Sequence, residues 1–165
     1  SRDWYATASS ADGTKLVAAG YLTGLYTSND SGATWTERTA LGTKDWKALT
    51  SSADGSRIVA AAGDNSVYTS ADFGATWTDR TTAAELKTTN FTFGRFLDSS
   101  ADGSKIVMAS GSTWNSEIRI SSDYGATWST IARQHWGEIA ITADGTKIAT
   151  VLGDTVSLST DDGAS

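Results

Sequence analysis

The sequence contains no cysteine and no proline, and only one histidine and one methionine. Without cysteine there is no disulfide framework, no thiolate zinc site and no cysteine nucleophile. Glutamate is scarce: Glu37, Glu85, Glu117 and Glu138 are the whole supply. Basic residues are in deficit, with 13 Lys and Arg against 19 Asp and Glu and a net charge of −6 at pH 7. No Lys/Arg cluster forms the basic stripe that a phosphate backbone requires, so no nucleic-acid partner is expected. No apolar run approaches the roughly 20 residues of a membrane helix, so no membrane partner is expected either. The opening Ser1-Arg2-Asp3-Trp4 does not read as a signal peptide.

What is plentiful is glycine, at 16 of 165 residues, and tryptophan, at 7. β-Branched and aromatic residues punctuated by Gly and Asp point to short strands and tight turns. Two motifs recur. Ala-Asp-Gly followed by Ser or Thr and a basic residue places Asp at positions 12, 54, 102 and 144, at intervals of 42, 48 and 42. Ser-x-Asp-x-Gly-x-Thr-Trp runs from Ser28 to Trp35, Ser70 to Trp77 and Ser121 to Trp128, and a fourth copy begins at Ser159 with Asp161 and Gly163. A period of roughly 40 to 50 residues with four strands per unit is the pattern of a β-propeller.

The first unit reads as strand a over Trp4 to Ser10, an Asp12-Gly13 hairpin turn, strand b over Lys15 to Ala19, strand c over Leu25 to Ser28, and strand d over Thr34 to Thr39. Strand b is apolar at consecutive positions: Leu16-Val17-Ala18-Ala19, Ile58-Val59-Ala60-Ala61 and Ile106-Val107-Met108-Ala109. A strand wetted on one face would alternate, so both faces are expected to be covered by neighbouring sheets. In the second motif, Asp30, Asp72 and Asp123 are expected to accept hydrogen bonds from nearby amides in the c–d turn. Gly32, Gly74 and Gly125 supply a backbone angle that other residues resist. Trp35, Trp77 and Trp128 are expected to begin strand d and pack between sheets. All of these, with Asp161 and Gly163, are read as structural, because a site for chemistry is seldom copied around a ring.

On these motifs the chain resembles the Asp-box, or bacterial neuraminidase repeat, family of the sialidase-like and sortilin-like β-propellers. The resemblance covers essentially the whole chain and implies an all-β fold of four-stranded antiparallel blades. Family members include sialidases, xyloglucan-degrading enzymes, sorting receptors and photosystem assembly factors, so the resemblance does not imply one function. A sialidase would need three arginines gripping a carboxylate, a Tyr–Glu pair and an acidic proton donor. No local spacing in this sequence supports that set, and the Arg-Ile-Pro motif of sialidases cannot occur without proline.

The chain is expected to form a single propeller segment over residues 1–165, with blades at about 3–40, 45–82, 93–133 and 136–165 and the last lacking its outer strand. Propellers of this family more often carry six to ten blades. Two chains placed head to tail would give an eight-bladed homodimeric ring. The competing reading is a fragment of a longer polypeptide.

Function is expected on the face of the b–c loops and d–a connections, where the units differ. Trp4, Trp46 and Trp136 each lie eight residues before a turn Asp, and with Arg95, Trp114, Asn115, Glu117 and His135 they are the candidate ligand-binding residues. Indole faces there would stack on sugar rings. The competing and preferred reading of the Trp residues wedges them between blades. No catalytic set, no cofactor and no metal site is expected. Taking Gly32 or Gly74 as the sixth position of a calcium loop puts Arg38 or Arg80 where a bidentate Glu is required. Asn29-Asp30-Ser31 and Asn90-Phe91-Thr92 match the glycosylation sequon, a feature of secreted chains. The expectation is a non-enzymatic binding or scaffold propeller, extracellular and carbohydrate-binding. The alternatives are a fragment of a glycoside hydrolase using Glu117 or Glu138, and a designed or evolutionary-model propeller without a ligand.

Overall fold

Glycine-rich turns divide the chain into short strands, and the strands close into four antiparallel sheets in chain order. The computed structural model describes residues 2–81, 96–112, 115–133, 137–152 and 154–161. The first sheet is β1 (Trp4–Ser9), β2 (Leu16–Gly20), β3 (Leu25–Ser28) and β4 (Thr36–Arg38). The second is β5 (Trp46–Ser51), β6 (Ile58–Ala62), β7 (Val67–Ser70) and β8 (Thr78–Asp79). The third is β9 (Phe96–Ser99), β10 (Ile106–Ser112), β11 (Asn115–Ser121) and β12 (Ser129–Arg133). The fourth has three strands among the described residues: β13 (Ile139–Ile141), β14 (Ile148–Leu152) and β15 (Thr155–Ser159). Each sheet pairs its strands in simple sequential order. The first strands β1, β5, β9 and β13 lie against one another, so they line the inner side of an arc of propeller blades.

The core sits between blades. Val17, Ala19 and Leu25 of the first blade pack against Trp46, Ile58, Ala60 and Ala62 of the second. Val59, Ala61 and Val67 of the second pack against Ile106, Met108 and Trp128 of the third. Val107, Ala109, Ile118 and Ile120 of the third pack against Ile139 and Ile148 of the fourth. Strand β6 therefore sends Ile58, Ala60 and Ala62 to one neighbour and Val59 and Ala61 to the other, as its unbroken apolar run predicts. Alanine at the centre of the run lets the sheets approach closely.

Two boundaries differ from the sequence reading. The Asp-Gly pair is the tip of a loop from Ser10 to Lys15 rather than a two-residue hairpin turn. Ser10 and Lys15 pair there, with Ser10 N–H donating to Lys15 O at 2.9 Å. Strand d begins one residue after each Trp, at Thr36, Thr78 and Ser129. The indole N–H of Trp35 donates back to Gly32 O at 3.1 Å, which keeps the Trp in the turn.

The two ends of the arc differ from its interior. On the first blade Trp4 is 46% exposed and Trp35 43%. On the last, Val156 is 75% exposed and Leu158 61%. The two-sided covering expected of strand b holds for β6 and β10. It is one-sided at β14, where Val151 reaches solvent.

Candidate functional site

One face of the arc carries the two repeated turns. In the c–d turn the Ser28 hydroxyl donates to Asp30 Oδ1 at 2.7 Å and accepts from Gly32 N–H at 2.8 Å. Thr34 donates its N–H to Asp30 Oδ1 at 2.9 Å and its hydroxyl to Oδ2 at 2.6 Å. The same set recurs at Asp72 with Ser70 and Thr76, and at Asp123 with Ser121 and Thr127. At Asp161 the Ser159 hydroxyl makes the corresponding bond at 2.8 Å, and Gly163 lies outside the described residues. The Thr hydroxyl, then the Thr N–H and the Ser hydroxyl, hold the Asp30 carboxyl down at about 2. Each of these carboxylates is thus occupied with its own loop. Ser31, Phe73 and Tyr124, just before the turn glycines, also adopt positive φ, at 59°, 56° and 60°.

The opposite face carries the first blade's b–c loop and the connection from the first blade into the second. Thr23 and Lys44 form a two-way backbone bridge there, at 3.2 and 3.1 Å, tying the first blade's b–c loop to the connection into the second blade. Lys44 also pairs with Asp64 at 2.8 Å. Trp46 is fully buried in the joint between these blades, and its indole N–H donates to Thr23 O at 3.0 Å. It offers no ring face to a sugar, and the wedging reading describes it. Trp4, at the same place in the first blade, sits edge-on to Tyr26 at 5.4 Å and 80°, as Trp46 does to Tyr68 at 6.0 Å and 70°.

Glu117 is buried rather than open to a cleft. It pairs with Arg119 two residues along β11, at 2.9 Å, and both side chains are enclosed. Asn115 opens the same strand. Arg95, Trp114, His135 and Trp136 lie outside the described residues. The candidates that are described therefore do not converge on one pocket: Trp46 is inside a joint, Glu117 is buried against Arg119 of its own strand, and Trp4 is on the open end of the arc.

A feature the sequence reading passed over lies next to Trp4. Strand β1 shifts register between Trp4 and Ala6, and β5 does so between Trp46 and Ala48. The extra residues are Tyr5 and Lys47. Bulges re-aim side chains, and here the Lys47 ammonium lies 5.5 Å from the centre of the Tyr5 ring. Tyr21, from the first blade's b–c loop, faces Tyr5 at 6.3 Å, and Tyr5, Tyr21 and Leu22 are all exposed. The available signal was position: each bulge residue directly follows a repeated Trp. Among the described residues no three His, Cys, Asp or Glu gather to hold a metal.

The family model described as Sortilin-Vps10, "Sortilin, neurotensin receptor 3", matches residues 23–137. The chain belongs to the Sortilin-Vps10 family. No curated protein matches it. Among solved structures, this Sortilin-Vps10 chain is similar to the GH74 enzyme of Niastella koreensis, with TM-score 0.73 and 23% identity over 97% of this chain and 23% of that one. It is similar to the GH74 xyloglucanase of Xanthomonas campestris, with TM-score 0.72 and 16% identity over 99% of this chain and 30% of that one. It is also similar to YCF48 bound to D1 peptide, with TM-score 0.64 and 14% identity over 99% of this chain and 56% of that one. At these identities the likeness shows the β-propeller fold. The Sortilin-Vps10 chain spans well under two thirds of the length of each of these three.

Proposed function

We propose that the chain is a non-enzymatic binding or scaffold propeller that receives a carbohydrate on the b–c loop face. The observation that carries this reading is the exposed pair Tyr5 and Tyr21, 6.3 Å apart, with Lys47 beside it. Two tyrosine rings on a rigid strand and loop give a sugar an apolar platform with hydroxyls at its rim. They lose little side-chain freedom when it binds. The carboxylates of the repeated turns support the reading by their commitment elsewhere, each being held by its own Ser and Thr. Glu117 is committed to Arg119, which leaves Glu138, exposed, as the other carboxylate that a hydrolase would use.

The test is a glycan array followed by titration of the best hit. Tyr5→Ala and Tyr21→Ala should each weaken binding about 2- to 10-fold, in line with the loss of one aromatic contact. A bound glycan whose affinity is unchanged in both variants would place the site elsewhere.

A further inference from the structure

At each joint between described blades a basic residue of one blade lies over the next, and the middle joint uses it differently. Lys15, Arg57 and Lys105 close three of the Ala-Asp-Gly motifs. Their stems rest on the turn glycine of the following blade. A Cβ would sit 2.7 Å from Lys15 at Gly55, 2.9 Å from Arg57 at Gly103, and 2.8 Å from Lys105 at Gly145. Lys15 Nζ then donates to Asp54 O at 2.7 Å and Lys105 Nζ to Gly145 O at 3.1 Å. The Arg57 guanidinium donates no hydrogen bond among the described residues. It lies instead over the Tyr124 ring, with Cζ 3.9 Å from the ring centre. An arginine stacked on an aromatic ring is held in place while its N–H fork stays open to a ligand.

A second guanidinium shares this place. Arg80 Nε donates to Thr69 Oγ1 at 3.0 Å, which leaves its two terminal nitrogens for other acceptors. Arg57, Arg80, Thr69, Thr78 and Tyr124 line one cavity of about 70 Å³ between the second and third blades, with Ile106 at its apolar side. One water needs roughly 10 to 15 Å³ of such space, so the cavity takes a group of about five heavy atoms. Among the described residues no carboxylate lines it. Asp79, between Thr78 and Arg80, accepts from Thr81 N–H at 2.8 Å. Asp72 and Asp123, next to the lining residues Ala71 and Tyr124, are held by their own Thr hydroxyls at 2.6 Å. Neither neighbouring joint repeats the set. In the first, Phe73 stands for Tyr124 and the basic residue is already bonded. In the third, Ile131 stands where Arg38 and Arg80 follow their Trp by three residues.

We infer that the joint between the second and third blades is a binding site for a small tetrahedral oxyanion of the phosphate class, gripped by Arg57 and Arg80. Two half-buried cations facing one cavity repel each other, and an anion between them turns that repulsion into two attractions. Guanidinium N–H groups bond oxyanions through charge-assisted pairs. The donors stand on separate strands and approach from different sides, which suits four oxygens on a tetrahedron better than the two of a planar carboxylate. The Thr69 hydroxyl accepts from Arg80 and keeps its own proton to donate.

The experiment titrates inorganic phosphate into the 165-residue chain at constant ionic strength, following the backbone amide resonances by NMR. Saturable shifts at Gly103 and Tyr124 are expected, with a Kd of about 1 mM or tighter. Sodium acetate, titrated in the same way, should bind at least about 10-fold more weakly. Arg57→Gln keeps the stem that covers Gly103 and removes the charge, and it should weaken phosphate binding about 10-fold or more. Arg80→Gln should do the same and serves if Arg57→Gln fails to fold. Lys15→Gln, at the first joint, should leave the affinity unchanged. Shifts that stay linear with phosphate would overturn the inference. So would acetate binding as tight as phosphate, or an affinity that survives loss of both arginine charges.

Discussion

At Asp30 the carboxylate has more donors than an ordinary surface aspartate, and this has a consequence in acid. The same hydroxyl and amide donors hold Asp12, Asp30, Asp54, Asp72, Asp102, Asp123 and Asp144 at about 2, below their ordinary 3.8. A depressed folded value means that the stabilisation is fully present above the unfolded value and is lost as pH falls through the folded one. Urea unfolding followed from neutral pH downward should therefore show level stability until near pH 4 and a decline from there towards pH 2. In Asp72→Asn the decline should be shallower. A flat profile across that window would mean that these bonds do not distinguish the folded from the unfolded chain. The roles of Asp30 and Gly32 were legible in the sequence because turn chemistry selects few residue types. The positive φ of Ser31, Phe73 and Tyr124 was not legible. Three dissimilar residues hold it, and the hydrogen bonds of the following glycine impose it.

Among the elements, β6 was the most legible. Its unbroken run Ile58-Val59-Ala60-Ala61 announces two buried faces, and both faces are filled. The tight fit gives a prediction. Ala60→Leu adds three carbons between the first and second blades and should destabilise the fold by about 1 to 3 kcal/mol, measured as a lower urea midpoint at unchanged slope. A midpoint equal to that of the parent would show slack in this joint. Strand a was legible in position but not in register. Sequence spacing aligned Trp4 with Trp46 correctly, yet it could not show that the chain slips one residue immediately afterwards. That slip brings Tyr5 and Lys47 together and sets the proposed site. The buried Glu117–Arg119 pair was equally hidden, because residues two apart on a strand share a face whether or not a neighbouring sheet covers them.

For the whole molecule, propeller architecture followed from repeat spacing alone, while the surfaces at the two ends required the three-dimensional arrangement. Spacing shows that Lys147 is one more copy of Lys15. It does not show that Lys15 Nζ reaches across to Asp54 O of the next blade.

The joints between blades all run one way, with the N–H of Ala11, Ala53 and Ala101 donating to the carbonyl oxygen of Ala53, Ala101 and Ala143 in the following blade, and this bears on how such a chain changes length. Because every blade carries the same plug on one side and the same socket on the other, a whole unit can be inserted or deleted and both cut ends still fit. Blade number is then free to vary by duplication, and ring size is governed by geometric closure, with no single joint encoding it.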